Sequence, residues 1–221
     1  YFSETQRKRE TFSQEFRFLS NLADLDENKR SEWVLGLHFF ESKETNLKND
    51  DGIYGDPLDP YSPYISESSS TSKFSVDNFS IFGNLNYLIN DSITFSLGAR
   101  WEDSESTYSD SFGESLNPSD KISGGKISIN KILKQDTNIF ISIARGYNQG
   151  GFNLNLGLDP NSINSNLYYD PEFLTNYELG LNSKIVHLNM NLAAVIFHSD
   201  RKDQQVLIST QVDPTDPNTF T

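Results

Sequence analysis

The stretch Asn78–Glu102, NFSIFGNLNYLINDSITFSLGARWE, decides how this chain is read. Before its short Asn90-Asp91 turn, Phe79, Ile81, Gly83, Leu85 and Tyr87 alternate with Ser80, Phe82, Asn84 and Asn86. After the turn, Ile93, Phe95, Leu97, Ala99 and Trp101 alternate with Thr94, Ser96, Gly98, Arg100 and Glu102. A period of two places each set on one face of a β-hairpin. Each arm holds about ten residues, the length a tilted strand needs to cross the hydrocarbon core of a bilayer. Tyr87 and Trp101 flank the apolar set near its ends, as interfacial aromatics flank the apolar belt of a membrane barrel. A soluble hairpin would turn the same set toward a protein core. Recurrence along the chain separates the two readings.

Working outward, Thr11–Ser20 sets Phe12, Phe16 and Phe18 against Ser13, Glu15 and Arg17. Trp33, Leu35, Leu37 and Phe39 are interleaved with polar or small residues, and Ile127 and Ile129 with Lys126, Ser128 and Asn130. Ile139, Ile141 and Ile143 alternate with Ser142 and Ala144, while Arg145 falls on the apolar parity, at a bulge or beyond the apolar band. Tyr177, Leu179 and Leu181, then Leu188, Met190, Leu192, Ala194 and Ile196, complete the series. The pattern predicts antiparallel strands near 11–20, 31–41, 74–89, 92–103, 121–133, 138–148, 174–185 and 188–200, with a further start within Asp203–Val212. Tyr1–Glu10, with Arg7, Lys8 and Arg9, reads as a strand shoulder or loop. Ser42–Lys73, Asp103–Asp120 and Asn148–Glu172 lack periodicity and read as long loops.

All eight prolines (57, 60, 63, 118, 160, 171, 214 and 217) fall in those long connections or the C-terminal tail, each after Asp, Ser or Asn. Proline cannot donate to a ladder, so its absence from strands is expected. Its confinement to every second connection is not, and it makes the two ends of the sheet chemically different. Short turns at one end and long loops at the other mark an outer-membrane barrel with its long loops extracellular.

Composition narrows the alternatives. The chain has 31 acidic and 18 basic residues, a formal charge of −13, which argues against a nucleic-acid partner. It has no cysteine, so disulfides and thiolate metal sites are excluded. The longest apolar run, Leu192–Phe197, is far too short for a membrane helix, a test that leaves β-barrels open. A start at Tyr1, without initiator Met or secretory signal, reads as a processed product or as a piece of a longer protein, the second being the preferred reading.

Several segments, in order, resemble the TonB-dependent outer-membrane receptors. Ser142–Asn153 (SIARGYNQGGFN) resembles a strand end running into an extracellular loop. Tyr169–Ser183 (YDPEFLTNYELGLNS) and Leu192–Val206 (LAAVIFHSDRKDQQV) resemble two later consecutive strands, with His198 where a Tyr is more usual. Ser13–Arg17, and Ser80–Arg100 with its Leu-Gly-Ala-Arg ending, fit the same pattern. The resemblance implies an all-β fold: an antiparallel up-and-down transmembrane β-barrel segment, about eight to ten strands of a barrel of about 22. Residues 1–221 would form a partial barrel domain with no plug domain, lacking strands at both ends. It further implies TonB-dependent uptake of a scarce nutrient such as an iron chelate, in the outer membrane of a Gram-negative bacterium. The partners would be outer-membrane lipid, the TonB complex through the plug region, and a small-molecule ligand. A passive porin-like barrel and a soluble antiparallel β-domain binding carbohydrate or protein are the alternatives.

No catalytic constellation stands out. His38, His187 and His198 lack ligand-spaced partners, Gly150-Gly151 opens no helix, and neither an enzyme activity nor a cofactor is expected. Tyr54, Tyr61, Tyr64, Asn148, Gln149 and Phe152 are the candidates for ligand contact in the loops. Asp50, Asp51, Asp56 and Asp59 are weak Ca²⁺ candidates by oxygen density alone, and solvated loop carboxylates are the plainer reading. The second loop's Asp103, Glu105, Asp110, Glu114 and Asp120 carry the same two readings. Arg17, Arg100, Glu102, Glu178 and Lys184 fall on the lumen-facing parity, where charge is tolerated, and Trp33, Tyr87 and Trp101 are the interfacial aromatics.

Overall fold

In a computed structural model the described residues are 2–20, 30–54, 64–134, 136–153, 167–185 and 189–206, and none of them is helical. The strands are β1 (Phe2–Leu19), β2 (Ser31–Tyr54), β3 (Tyr64–Asn90), β4 (Ile93–Asp110), β5 (Ser115–Leu116), β6 (Ser119–Lys134), β7 (Thr137–Asn148), β8 (Gly151–Phe152), β9 (Tyr168–Tyr169), β10 (Glu172–Ile185) and β11 (Met190–Lys202). The long strands pair in chain order, β1-β2-β3-β4-β6-β7-β10-β11, with β5 added to β4 and β8 paired with β9. This is the up-and-down order the sequence predicts. The sheet is open and ends on β1 and β11, both exposed along their whole length.

Register keeps the two residue sets apart. Leu179 lies opposite Ile141 on one side and Ile196 on the other, and Leu181 opposite Ile139 and Ala194. Ile127 and Ile129 continue the row against Ile143 and Ile141. Glu178 pairs with Ser142 and Asn176 with Ala144, on the opposite face. A one-residue slip would mix these sets at every strand. The apolar row has no protein layer over it: Leu179 is 54% exposed and Ile196 76%. The β7–β10 register runs without a shift to Glu172 and Asn148, so Arg145 sits at no bulge against β10. Its guanidinium instead lies 4.2 Å over the Phe173 ring.

The largest departure is strand length. Ser42–Lys73, expected as one loop, is strand over 42–54 and 64–73, and residues 2–10 are strand as well. Asp103–Asp120 is strand through Asp110 and again from Ser119, with β5 between. Alternation of apolar with polar marks a strand only where one face meets lipid or a core; with both faces wet the period disappears but the ladder does not. The third connection holds the β8–β9 pair at its root, and its residues 154–166 lie outside the description. After β11 the described residues 203–206 are not strand, and the remainder of the expected Asp203–Val212 start lies outside the description.

The chain divides into two compact units. One comprises Tyr1–Gln14, Phe39–Asn78 and Ser104–Ser119. Its strands are tied by polar side chains: Arg9 is paired with Glu44, Arg7 Nε donates to Asn46 Oδ1 at 3.0 Å, and Ser75 and Thr107 hydroxyls meet at 2.6 Å. Asp110 Oδ1 caps its tight turn by accepting from the N–H of Phe112 and Glu114. The other unit comprises Glu15–His38, Phe79–Asp103 and Asp120–Thr221, and holds the one-faced apolar rows. There Phe79 and Trp101 meet edge to face, 6.3 Å between centroids. From Phe79 to Tyr87 the chain advances about 26 Å at strand rise, close to the height of a barrel's apolar belt.

Candidate functional site

The polar face of the second unit carries the wall residues. Arg100 Nε and Nη2 both approach Glu102 Oε2 at 2.8 Å, and Tyr147 Oη donates to the same oxygen at 3.1 Å. Glu102 is buried, so its charge is held by a guanidinium and a phenol rather than by water. Arg100 also lies over the Phe82 ring, 5.9 Å from its centroid. Glycine makes room for these aromatics. A Cβ on Gly36 would overlap the Phe82 ring, and one on Gly180 the Phe140 ring. At Gly124 it would lie 3.0 Å from Tyr147 Cδ1 and 2.6 Å from the Arg145 carbonyl oxygen. Sequence reading missed this device. Phe82 and Phe140 sit on the polar parity, and only the register shows a glycine on the adjoining strand.

Of the other wall candidates, Arg17 is paired with Glu15 on β1. Glu178 accepts from Ser142 Oγ at 3.1 Å and from Asn176 Nδ2 at 2.7 Å. Lys184 lies opposite Asn191, its backbone N–H donating to the Asp136 carbonyl at 2.7 Å. The structure therefore joins Arg100 to Glu102 and leaves Arg17, Glu178 and Lys184 with separate partners. Trp33, Tyr87 and Trp101 are all partly exposed, at 44%, 41% and 39%. Trp33 and Tyr87 lie near the short-turn ends of their strands, and Trp101 lies at the middle of β4.

The loop candidates are placed unequally. Tyr54 and Tyr64 end β2 and begin β3, whereas Tyr61, Asp56 and Asp59 lie outside the described residues. Asp50 and Asp51 are consecutive strand residues, which point to opposite faces and cannot converge on one ion; Asp50 is paired with Lys48 at 2.7 Å. Among the described residues no group of three His, Asp or Glu side chains is placed to hold a metal. Asp103 is 3.7 Å from Lys121, and Asp120 Oδ2 accepts the Gly150 N–H at 3.1 Å. Burial pushes the Asp120 carboxyl above its ordinary range, the Asp170 charge adds to that, and the Gly150 hydrogen bond opposes it. Asn148 Nδ2 donates to Gln205 Oε1 at 2.8 Å, the Gln149 carbonyl accepts from Gln205 Nε2 at 2.8 Å, and Phe152 lies in β8 opposite Tyr168. Gln205 was not singled out by sequence, since nothing in the run Asp203–Val206 marks it.

A family model for the β-barrel of TonB-dependent receptor-like proteins matches residues 1–221. The chain belongs to the TonB-dependent receptor β-barrel family. No curated protein matches it. Among solved structures, it resembles the ferric yersiniabactin uptake receptor FyuA of Yersinia pestis with a TM-score of 0.66 at 23% identity, over 92% of this chain and 30% of that one. The siderophore receptor PiuA of Acinetobacter baumannii gives 0.58 at 18% identity, over 98% of this chain and 34% of that one. The alcaligin receptor FauA of Bordetella pertussis gives 0.58 at 14% identity, over 98% and 33%. At these identities the likeness is one of fold, and the chain spans about a third of each of those receptors. In the second unit the apolar row stands exposed on one face of the sheet, and Arg100 and Glu102 fall on the parity of the other.

Proposed function

We propose that this chain is part of the wall of an outer-membrane receptor that takes up a scarce nutrient, such as an iron chelate, with energy delivered through TonB. The observation that carries the reading is the family match over the whole chain, joined to a register that keeps Ile141, Leu179 and Ile196 in one exposed apolar row. The iron-chelate class is drawn from receptors of similar fold described as taking ferric yersiniabactin and ferric citrate; a copper transporter of similar fold widens it to metal cargo generally. In the complete receptor, a plug domain encoded outside this segment would meet the inner face, and Arg100, Glu102, Glu178 and Lys184 would serve as its polar contacts. Asn148, Gln149 and Phe152, with Tyr54, Tyr61 and Tyr64, would meet ligand at the extracellular end. The wall positions and admits a ligand and carries out no bond chemistry.

Growth of the native host under iron limitation tests this. Deleting the full gene should abolish accumulation of at least one labelled ferric chelate, and removing TonB should abolish it equally. Accumulation that persists without TonB would instead indicate a passive pore.

A further inference from the structure

Gln205 lies three residues beyond β11, after Asp203, whose φ of +55° turns the chain out of the strand. Its Nε2 donates to the backbone oxygens of Gln149, at 2.8 Å, and Asp170, at 3.1 Å, while its Oε1 accepts from Asn148 Nδ2 at 2.8 Å. Gln149 and Asp170 stand at the two ends of the connection between β7 and β10. One side-chain amide thus ties both ends together. Its own backbone N–H donates to Glu172 Oε2 at 2.8 Å, and Arg201 of β11 holds that carboxylate at 3.2 Å. Gly150, next to Gln149, is fixed from the β6 side by Asp120.

Only an amide can fill this place, because it offers two N–H donors and a carbonyl acceptor on one planar group. A glutamate of the same shape would set carboxylate oxygens against two backbone carbonyls. A cavity of ≈ 570 Å³ opens beside the amide, with Asn153, Tyr169, Asp170, Asp203 and Gln204 among its lining residues. We propose that Gln205 is a positioning residue that latches the root of this connection, holding Asn148, Gln149 and the β8–β9 pair in one preformed arrangement beside that cavity. The role in ligand presentation rests on the uptake reading; the latch itself does not.

The test uses the complete receptor in bilayers with a single cysteine, at Tyr168 of β9 or at Phe112 in the turn between β4 and β5, each bearing a nitroxide label. Both sites are exposed. With Gln205 intact, the label at 168 should show an immobilised spectral component. Gln205→Ala and Gln205→Glu should both lose that component, and the label at 112 should not change. Retention of the component in either variant, or equal loosening at 112, would overturn the latch. In the unlabelled variants, the affinity of a panel of ferric chelates should fall at least severalfold where the wild type binds one, and unchanged affinity would overturn the role in presentation. A wild-type receptor that binds no ferric chelate would count against the uptake reading, while the spectra decide the latch independently.

Discussion

β3 contains two kinds of sequence. From Phe79 to Asn90 it alternates, FSIFGNLNYLIN, and Ile81 and Tyr87 stand exposed on the apolar face. From Tyr64 to Asn78 it reads YISESSSTSKFSVDN, with no such face, and it is strand all the same. β2 repeats the contrast, with WVLGLHFF followed by ESKETNLKNDDGIY. At 24 residues β2 runs about 80 Å, roughly three times the height of an apolar belt. Hydrogen bonding to neighbours is enough to hold a strand; an apolar face is needed only where lipid replaces water. In the polar stretches, cross-strand pairs such as Arg9–Glu44 and Ser75–Thr107 provide the side-chain contacts. The Arg9–Glu44 ion pair is open to solvent and screened by it, so the ladder hydrogen bonds and not the side-chain pairs hold these stretches together.

Substitution of one lysine into each region should give the largest contrast. Leu97→Lys places a charge on the apolar face, which in the proposed receptor meets lipid, and should cost about 2–4 kcal/mol near mid-bilayer. Ile53→Lys, at an exposed position of β2, should change stability by less than about 0.5 kcal/mol. Denaturant unfolding of the bilayer-inserted receptor measures both. Equal costs would remove the distinction between the regions.

A smaller effect sharpens the same comparison through backbone contact. Gly125 packs so closely that a Cβ would stand 2.6 Å from the Gly98 carbonyl oxygen. Gly125→Ala should therefore cost about 1–3 kcal/mol by the same measurement, because a backbone must move rather than a side-chain tip. Gly146 has open space around it, and Gly146→Ala should be mild.

These contrasts also show what a sequence displays. A strand with one face turned to lipid or to a core shows a period of two, so the hairpin of residues 78–102, the strand order and the shared face of Leu179 and Ile196 were readable. The polar half of β3 was not, since serine and threonine on both faces look the same in a loop as in a strand. Arg145 on an apolar parity was ambiguous until Phe173 was seen beneath it. The glycine–aromatic contacts, Gly36 with Phe82 and Gly180 with Phe140, join residues far apart in the chain and depend on register. Gln205 was invisible for the same reason: its partners lie 33 to 57 positions away.

Acidification should touch the polar region with the smallest effect. The Asn46 amide, then the Arg9 guanidinium, hold the Glu44 carboxyl below its ordinary range. A lowered folded value means its stabilisation is complete above the ordinary glutamate range and is lost as pH falls from there through the depressed value. Hydrogen-exchange protection of the backbone around Glu44, taken relative to the intrinsic exchange rate at each pH, should fall over that interval, and Glu44→Gln should remove that pH dependence. Protection lost well above the glutamate range would assign the effect to another group.

In the proposed receptor one face of the second unit meets lipid. This chain contributes no cysteine, so once any cysteine outside it is replaced by serine, single cysteines at positions 93 to 98 can each carry a fluorophore in the complete receptor. Bilayers containing brominated acyl chains should quench labels at 93, 95 and 97 strongly and those at 94, 96 and 98 weakly. Uniform quenching, or quenching in the opposite phase, would contradict the account.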